Sequence, residues 1–203
     1  MDLAIGKLGK AKQVSIMAVS AALFSVFFFL SYTVSLPHFT LLYLPIILLG
    51  VFPLWFGWPG LVGCMIGAFI GGVYIEQLPL YIAWVESTTA LIIYGLNWFL
   101  MPRNAAEQRT KRSVFFLAIV YAVTLLVGTS YILWQYSYLG IPVFAGLPPE
   151  VVLFATYGLN LVIQLTVCPV LLRTLSSKLK NWGMYSGSFN EWRAKFPKKQ
   201  GLQ

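Results

Sequence analysis

The chain has 203 residues, of which 59% are hydrophobic and only 10% are charged, and its net charge is +8. Soluble domains carry about 25% charged residues. The composition therefore excludes an ordinary soluble domain and predicts an integral membrane protein.

Six long apolar runs follow one another along the chain, at 13–34, 41–56, 59–76, 80–101, 113–137 and 150–173. About 20 apolar residues cross the hydrocarbon core of a bilayer as a helix. We therefore predict an all-α integral membrane protein, built as a bundle of six transmembrane helices. The first run is too long for a cleaved signal peptide and is expected to remain as helix one. The six helices are expected to form one domain over 1–174, followed by a basic amphipathic tail over 175–203.

Positive charges are confined to three segments of the chain. The Lys and Arg residues lie before helix one, between helices four and five, and from Arg173 to the C-terminus, whereas the connections near 35–40, 76–80 and 138–149 contain none. The positive-inside rule therefore places both termini in the cytoplasm of a multi-pass protein in the cell membrane. The net charge then reflects orientation in the lipid bilayer, and no nucleic acid partner is expected. The tail is expected to lie along the cytoplasmic membrane surface.

Small residues line one face of two predicted helices. In the stretch PGLVGCMIGAFIGG, glycines recur at steps of three and four, at Gly60, Gly63, Gly67 and Gly71. Small residues let helix backbones approach closely inside a membrane, so this stripe is expected to pack within the bundle. Helix one carries a similar face, formed by Ser15, Ala18, Ala22 and Ser25. That second face fits either packing within the bundle or docking on a partner protein.

Polar and aromatic side chains concentrate in the outer half of the predicted bundle. Glu86 lies roughly 9–10 Å below the start of helix four. A carboxylate at that depth needs a partner, which a cationic or hydrogen-donating nitrogen of a ligand would supply. Apolar walls with a few polar groups are typical of pockets for small aromatic or heterocyclic molecules. The candidate binding residues are Glu86, Trp84, Tyr131, Trp134, Gln135, Asn160 and His38.

The same residues also have purely structural interpretations, which the sequence leaves open. Tyr and Trp anchor helices at the membrane boundary without any ligand. Asn160 can form a hydrogen bond between helices, and a protonated Glu86 can do the same. His38 lies in a predicted loop, where a histidine is commonly solvated.

Patterns typical of catalysis or metal binding are missing from the sequence. It contains no nucleotide-binding loop, no Ser/His/Asp set and no paired acids, and the glycine series has no strand before it and no Lys-Ser/Thr after it. Cys64 and Cys168 fall inside predicted helices, and no Cys/His cluster has the spacing of metal ligands. We therefore expect no enzymatic activity, no bound metal and no cofactor.

Three stretches of the chain resemble one known family. Helix one contains the small-residue pair Ala18 and Ala22. The stretch LPIILLGVFPLWFGWPGLVGCMIGAFIGG contains, in order, a Pro-Ile-hydrophobic-Gly pattern, a Phe-Gly pair followed by Pro, and a glycine-rich helix. The stretch YGLNLVIQLTVCPVLLRTL resembles the last helix of that family. In the order of these stretches, in its size and in its predicted topology, the chain resembles a substrate-binding S-component of an energy-coupling factor transporter. Two departures from the family pattern occur. Trp58 is inserted before the proline of the second pattern, and Glu76 is the residue that stands in for the acidic residue usually found after the glycine-rich helix.

The resemblance implies a binding subunit. Such a subunit captures a vitamin, heterocycle or related micronutrient from outside and docks through its small-residue face on a membrane coupling subunit. Two cytosolic ATPases use the ATP, and this chain does not. A membrane sensory or assembly subunit of a larger complex, without transport activity, is the alternative. A stand-alone secondary transporter is less favoured, because the sequence lacks an internal repeat.

Overall fold

The computed structural model describes residues 9–34, 42–103, 105–108, 111–140 and 148–194, and these residues form helices and their connections without any strand. The helices are α1 (Lys10–Val34), α2 (Pro45–Ile70) with a π-helical continuation (Gly71–Ile75), α3 (Leu80–Leu100), α4 (Lys111–Tyr138), α5 (Pro149–Asn181) and α6 (Phe189–Ala194). In the described chain, four helical stretches are long and apolar enough to cross a membrane: 10–33, 45–75, 111–138 and 151–181. The predicted all-α fold is thus confirmed for the described residues, and four helical stretches have the length and composition of membrane-spanning helices.

Helix α2 folds back on itself at Gly57, whose backbone angles (φ 56°, ψ −138°) are not helical. Before α2 begins, the backbone N–H of Leu44 donates to Ser31 Oγ at 2.8 Å. Past its end, Gly71 lies against the ring of Phe28. Both ends of α2 therefore lie beside the same part of α1, and α2 with its π-helical continuation forms two antiparallel limbs, 45–56 and 58–75. These limbs correspond to the second and third apolar runs of the sequence.

Two carbonyl oxygens of the first limb of α2 have no helical donor. Pro53 has no N–H to offer Leu49, whose carbonyl oxygen instead accepts from Asn97 Nδ2 of α3 at 3.0 Å. Trp55 lies in the last turn of this limb, which ends at Gly57, and its carbonyl oxygen accepts from the backbone N–H of Ser186 at 2.8 Å. Unpaired carbonyl groups are costly away from water, so these donors are part of what stabilises the hairpin.

The glycine stripe lies where the second limb of α2 meets α1. A Cβ added to Gly63 would lie 2.5 Å from the carbonyl oxygen of Met17, and one added to Gly71 would lie 2.7 Å from the Phe28 ring. Gly67 is similarly confined, and its carbonyl oxygen accepts from Ser25 at 3.3 Å. Side chains at these positions would force the two helices apart. Gly60, the first member of the stripe, faces the Tyr94 side chain of α3 instead.

The opposite side of α1 is not covered by the described part of the chain. Ser15, Ala18 and Ala22 are exposed there, next to Val14 and Val26, which are 62% and 52% exposed. Ser25, the fourth residue of the expected docking face, is half-buried and belongs to the contact with α2. Three of the four residues therefore lie on a free surface of the bundle.

The two ends of the bundle differ in charge. At the first, Lys12 of α1 donates to the carbonyl oxygen of Trp182 (3.0 Å), and Lys180 pairs with Glu107 (3.0 Å). We call it the basic end, because every described Lys and Arg lies in the half of the bundle nearest to it. The opposite end holds Glu76, Glu86 and Glu150 and no described Lys or Arg, and we call it the acidic end.

The C-terminal segment packs under the basic end. Helix α5 continues to Asn181, beyond the expected limit at residue 173, and the following segment returns across the α2 hairpin. Trp98 of α3 donates from Nε1 to the carbonyl oxygen of Gly187 at 3.0 Å, and its ring lies 5.5 Å and 5.7 Å from those of Phe189 and Trp192. The described part of the tail is therefore fixed to the bundle. Its position on a membrane surface stays a prediction.

Candidate functional site

A π-helical turn leads the chain into the acidic end. Residues Gly71–Ile75 widen the last turn of α2, so that the N–H of Glu76 donates to the carbonyl oxygen of Gly71 at 3.2 Å. Gln77 follows with a positive φ of 55°, and the chain then reverses into α3. Single π-helical turns are frequent at functional sites, because they redirect side chains. Here the turn directs Glu76 toward Glu86, which lies two turns into α3.

The carboxyl groups of Glu76 and Glu86 lie within hydrogen-bonding range of each other. The hydroxyl of Tyr136, near the end of α4, donates to Glu86 Oε1. Glu86 Oε2 is buried, and within the part of the chain that the structure describes no N–H or O–H group donates to it. A Cβ on Gly72 would lie 3.1 Å from this oxygen, so the glycine leaves the space that the carboxylate occupies.

Tyr43 completes this group, which we call the carboxyl cluster: Tyr43, Glu76, Glu86 and Tyr136. The Tyr43 phenol is close enough to both carboxyl groups to interact with them electrostatically. Its ring packs edge-on against Phe28 of α1 at 5.8 Å, and its backbone N–H donates to Asn160 Oδ1 of α5 at 2.9 Å. Residues from α1, α3, α4 and α5, from the segment before α2 and from the turn after it thus build or hold the cluster.

Further buried polar atoms in the same half of the bundle have no hydrogen-bond partner among the residues that the structure describes. They are Gln135 Oε1, beside Tyr136 in α4, and Thr156 Oγ1, one turn before Asn160 in α5. A buried polar group without a partner costs about 1–3 kcal/mol. Natural proteins contain few such groups, and those that occur commonly have a water or a ligand as partner. The acidic end is therefore better suited to hold an occupant than to stay dry and empty.

The residues that we predicted for the site divide into two groups. Glu86 lies in the carboxyl cluster, Asn160 positions Tyr43, Gln135 adjoins Tyr136, and Tyr131 contacts Thr88 near Glu86 at 3.2 Å. Trp84 and Trp134 are 59% and 62% exposed. Trp84 packs on Phe69 and Trp134 lies between Tyr131 and Tyr138, so neither ring is enclosed with the carboxyl groups. His38 lies outside the described residues.

Sequence reasoning missed three members of the cluster: Tyr43, Glu76 and Tyr136. The expectation that the chain has no paired acids is wrong, because Glu76 and Glu86 come from separate elements that meet only after folding. The signal that could have found Glu76 is its charge. In the sequence only three acids, Glu76, Glu86 and Glu150, fall in the predicted outer loops or the outer halves of the predicted helices.

Metal chemistry finds no support in the described part of the chain, where no group of three or more His, Cys, Asp or Glu side chains could hold an ion. Cys64 and Cys168 are both buried there and form no disulfide.

Comparisons with protein-family models, curated proteins and solved structures give no match to this chain. Support for a function therefore comes from the chemistry of the carboxyl cluster.

Proposed function

We propose that this protein is the substrate-binding subunit of an energy-coupling factor type transporter, capturing a small molecule at the acidic end of its bundle. The observation that supports this most directly is Glu86 Oε2, a buried acceptor that receives no hydrogen bond from the N–H and O–H groups of the described residues. Intramembrane carboxyl groups are expensive and are commonly functional. A bound molecule would supply the missing donor.

The proposed orientation in the membrane follows from the two ends. Six crossings result if α1, both limbs of α2, α3, α4 and α5 each span the bilayer. The positive-inside rule then puts the basic end and both termini in the cytoplasm of a multi-pass cell-membrane protein. The acidic end faces outward, where the carboxyl cluster can receive a molecule from outside the cell.

The exposed side of α1 is the proposed docking surface for a membrane coupling subunit. Ala18 and Ala22 lie one helical turn apart on this side, and both are exposed. Small residues permit close helix contact between membrane proteins as well as within them. In this proposal two cytosolic ATPases, bound to the coupling subunit, use ATP to drive uptake. The present chain binds and releases the substrate without chemistry or a cofactor of its own.

Docking is tested by placing a large side chain on this surface. Ala18→Trp and Ala22→Trp should abolish co-purification with the coupling subunit and ATPases, because an indole holds the helices apart. Val123→Trp is the matched control, since Val123 is 45% exposed on α4, away from the proposed surface. Assembly that survives both alanine replacements contradicts the docking proposal. Reproducible co-purification with other membrane proteins, and without ATPases, would favour the sensory or assembly subunit.

Substrate capture is tested without any assumption about the compound. Native mass spectrometry of the purified protein should show one small molecule bound per chain, which is then released and titrated back by tryptophan quenching. Glu86→Gln should weaken this binding at least tenfold, because it removes the negative charge. Glu107→Gln, at the basic end, should leave it unchanged. Equal binding by Glu86→Gln and the parent would make Glu86 structural.

A further inference from the structure

We infer that the ligand of the carboxyl cluster is an organic monocation, and that it replaces a proton shared by Glu76 and Glu86 in the ligand-free protein. The inference rests on the proposed function and names the chemical class of its substrate. Its basis is the juxtaposition of two carboxyl groups with further acceptors at an end of the bundle where the described chain has no base.

The charge of the cluster is the first step. Two carboxylates in hydrogen-bonding range repel each other, and burial makes both charges more costly. The groups that interact with the pair are Tyr43 before α2 and Tyr136 on α4, and Cys64 on the second limb of α2 lies near Tyr43. From α1 and α5 come the Phe28 ring and the Asn160 amide, so none of these groups is a base. One proton shared between the carboxyl groups leaves a single negative charge.

The second step concerns the chemistry of the buried atoms that lack a hydrogen-bond donor. Apart from the shared proton, no donor of the described residues reaches Glu86 Oε2, which is a buried oxygen acceptor, and Gln135 Oε1 on α4 is a second buried acceptor without a donor there. An anion, or a molecule with acceptors only, would leave both unsatisfied. A cation bearing N–H groups would satisfy them, and the phenol rings of Tyr43 and Tyr136 offer faces to which cations are attracted, at about 0.5–2 kcal/mol each.

Exchange of this cation for the proton is the consequence. When the cation enters, both carboxyl groups can be ionised beside it, and the shared proton leaves to the solvent. The cation and the proton compete for the same site, so binding weakens as the pH falls. The affinity can change by at most about tenfold per pH unit for one exchanged proton.

The experiment uses the full chain in detergent, freed of bound compounds, with two pairs of probes. Each pair has a cation bearing N–H groups and a neutral molecule of similar shape: methylammonium and methanol, and benzylammonium and benzyl alcohol. The readouts are the thermal unfolding midpoint, the acidification of a weakly buffered medium, and the infrared band of protonated carboxyl groups.

We expect at least one cation to raise the unfolding midpoint, to release a proton and to diminish the protonated-carboxyl band, while its neutral partner does none of these. Glu76→Gln and Glu86→Gln should abolish the proton release, whereas Glu107→Gln should retain it. Tyr136→Phe preserves the shape of the side chain and should keep the proton release, with a changed affinity for the cation. This variant provides the test if the glutamine variants do not fold. A ligand-free protein without the carboxyl band, no response to any cation, or equal responses to cations and neutral partners would overturn the inference. Assembly with the ATPases is measured separately and can stand if this inference fails.

Discussion

The side-chain amide of Asn97 donates to the carbonyl oxygen of Leu49 at 3.0 Å, the same carbonyl that Pro53 leaves without its helical partner. The Asn97 oxygen in turn accepts from Thr124 of α4 at 2.8 Å. A single buried side chain thereby joins three helices and satisfies a backbone group that proline exposed. Asn97 is completely buried, so no water substitutes for it.

Replacing Asn97 by Leu should lower the free energy of unfolding by about 1–3 kcal/mol, because it leaves the buried Leu49 carbonyl unpaired. The Thr124 hydroxyl keeps only its 3.3 Å bond to the carbonyl oxygen of Tyr121. In a Pro53→Ala background the loss should be smaller, because the N–H at position 53 can then donate to Leu49. Denaturant unfolding in detergent measures both values. Asn181→Leu, at an exposed position, is the control. Equal losses in the two backgrounds would show that Asn97 does not act through the Leu49 carbonyl.

The hairpin turn of α2 should tolerate only glycine at position 57. Gly57 has φ 56°, and an added Cβ would collide with the Ser186 side chain. Strained backbone of this kind costs on the order of 1–3 kcal/mol, so Gly57→Ala should lower stability by about that amount. Gly95→Ala, in the interior of α3 with no atom within 4 Å of the new Cβ, should instead raise stability by roughly 0.5–1 kcal/mol. Thermal unfolding compares the two; a Gly57→Ala protein as stable as the parent would contradict the described turn.

The C-terminal segment should stabilise the hairpin through its backbone. The N–H of Ser186 donates to the carbonyl oxygen of Trp55, and that of Gly187 donates to Leu54, both at 2.8 Å. Ser186→Pro removes the first donor and should cost about 1–3 kcal/mol. Ser186→Ala keeps the N–H and should cost less. Faster hydrogen exchange of the 54–57 backbone in the proline variant alone would locate the effect at this contact, and identical stability of the two variants would exclude it.

Labelling the two ends of α4 tests the orientation of the bundle. Tyr138→Cys places a thiol at a site that is 80% exposed at the acidic end, and Lys111→Cys places one at the exposed basic end. The native cysteines Cys64 and Cys168 are fully buried, so they should give little background. A membrane-impermeant maleimide added to intact cells should label Tyr138→Cys and spare Lys111→Cys until the cells are opened. The reverse pattern would put the carboxyl cluster on the cytoplasmic side.

Much of the helical layout could be predicted from the sequence, because length and hydropathy of a membrane helix depend on local composition. The limits of α1, α3 and α4 lie within a few residues of the expected runs. The break between the second and third runs was marked by Gly57 and Pro59, since both residues disfavour a continuous helix. The contact of Gly63, Gly67 and Gly71 with a neighbouring helix follows from small-residue spacing alone. Charge, being confined to loops and ends, predicted which ends of the helices belong together.

The membership of the site was decided only by the tertiary structure. A helix in a membrane can be apolar on every side, so periodicity gives no sign of which face points inward. Tyr131, Trp134 and Tyr136 occupy neighbouring positions in one aromatic stretch, yet only Tyr136 reaches Glu86, and Trp134 is exposed. Glu76 meets Glu86 because a π-helical turn rotates the end of α2 by a fraction of a turn. Rotation of one helix against another depends on packing between distant residues, and that is the physical reason why the chain order alone could not pair these two acids.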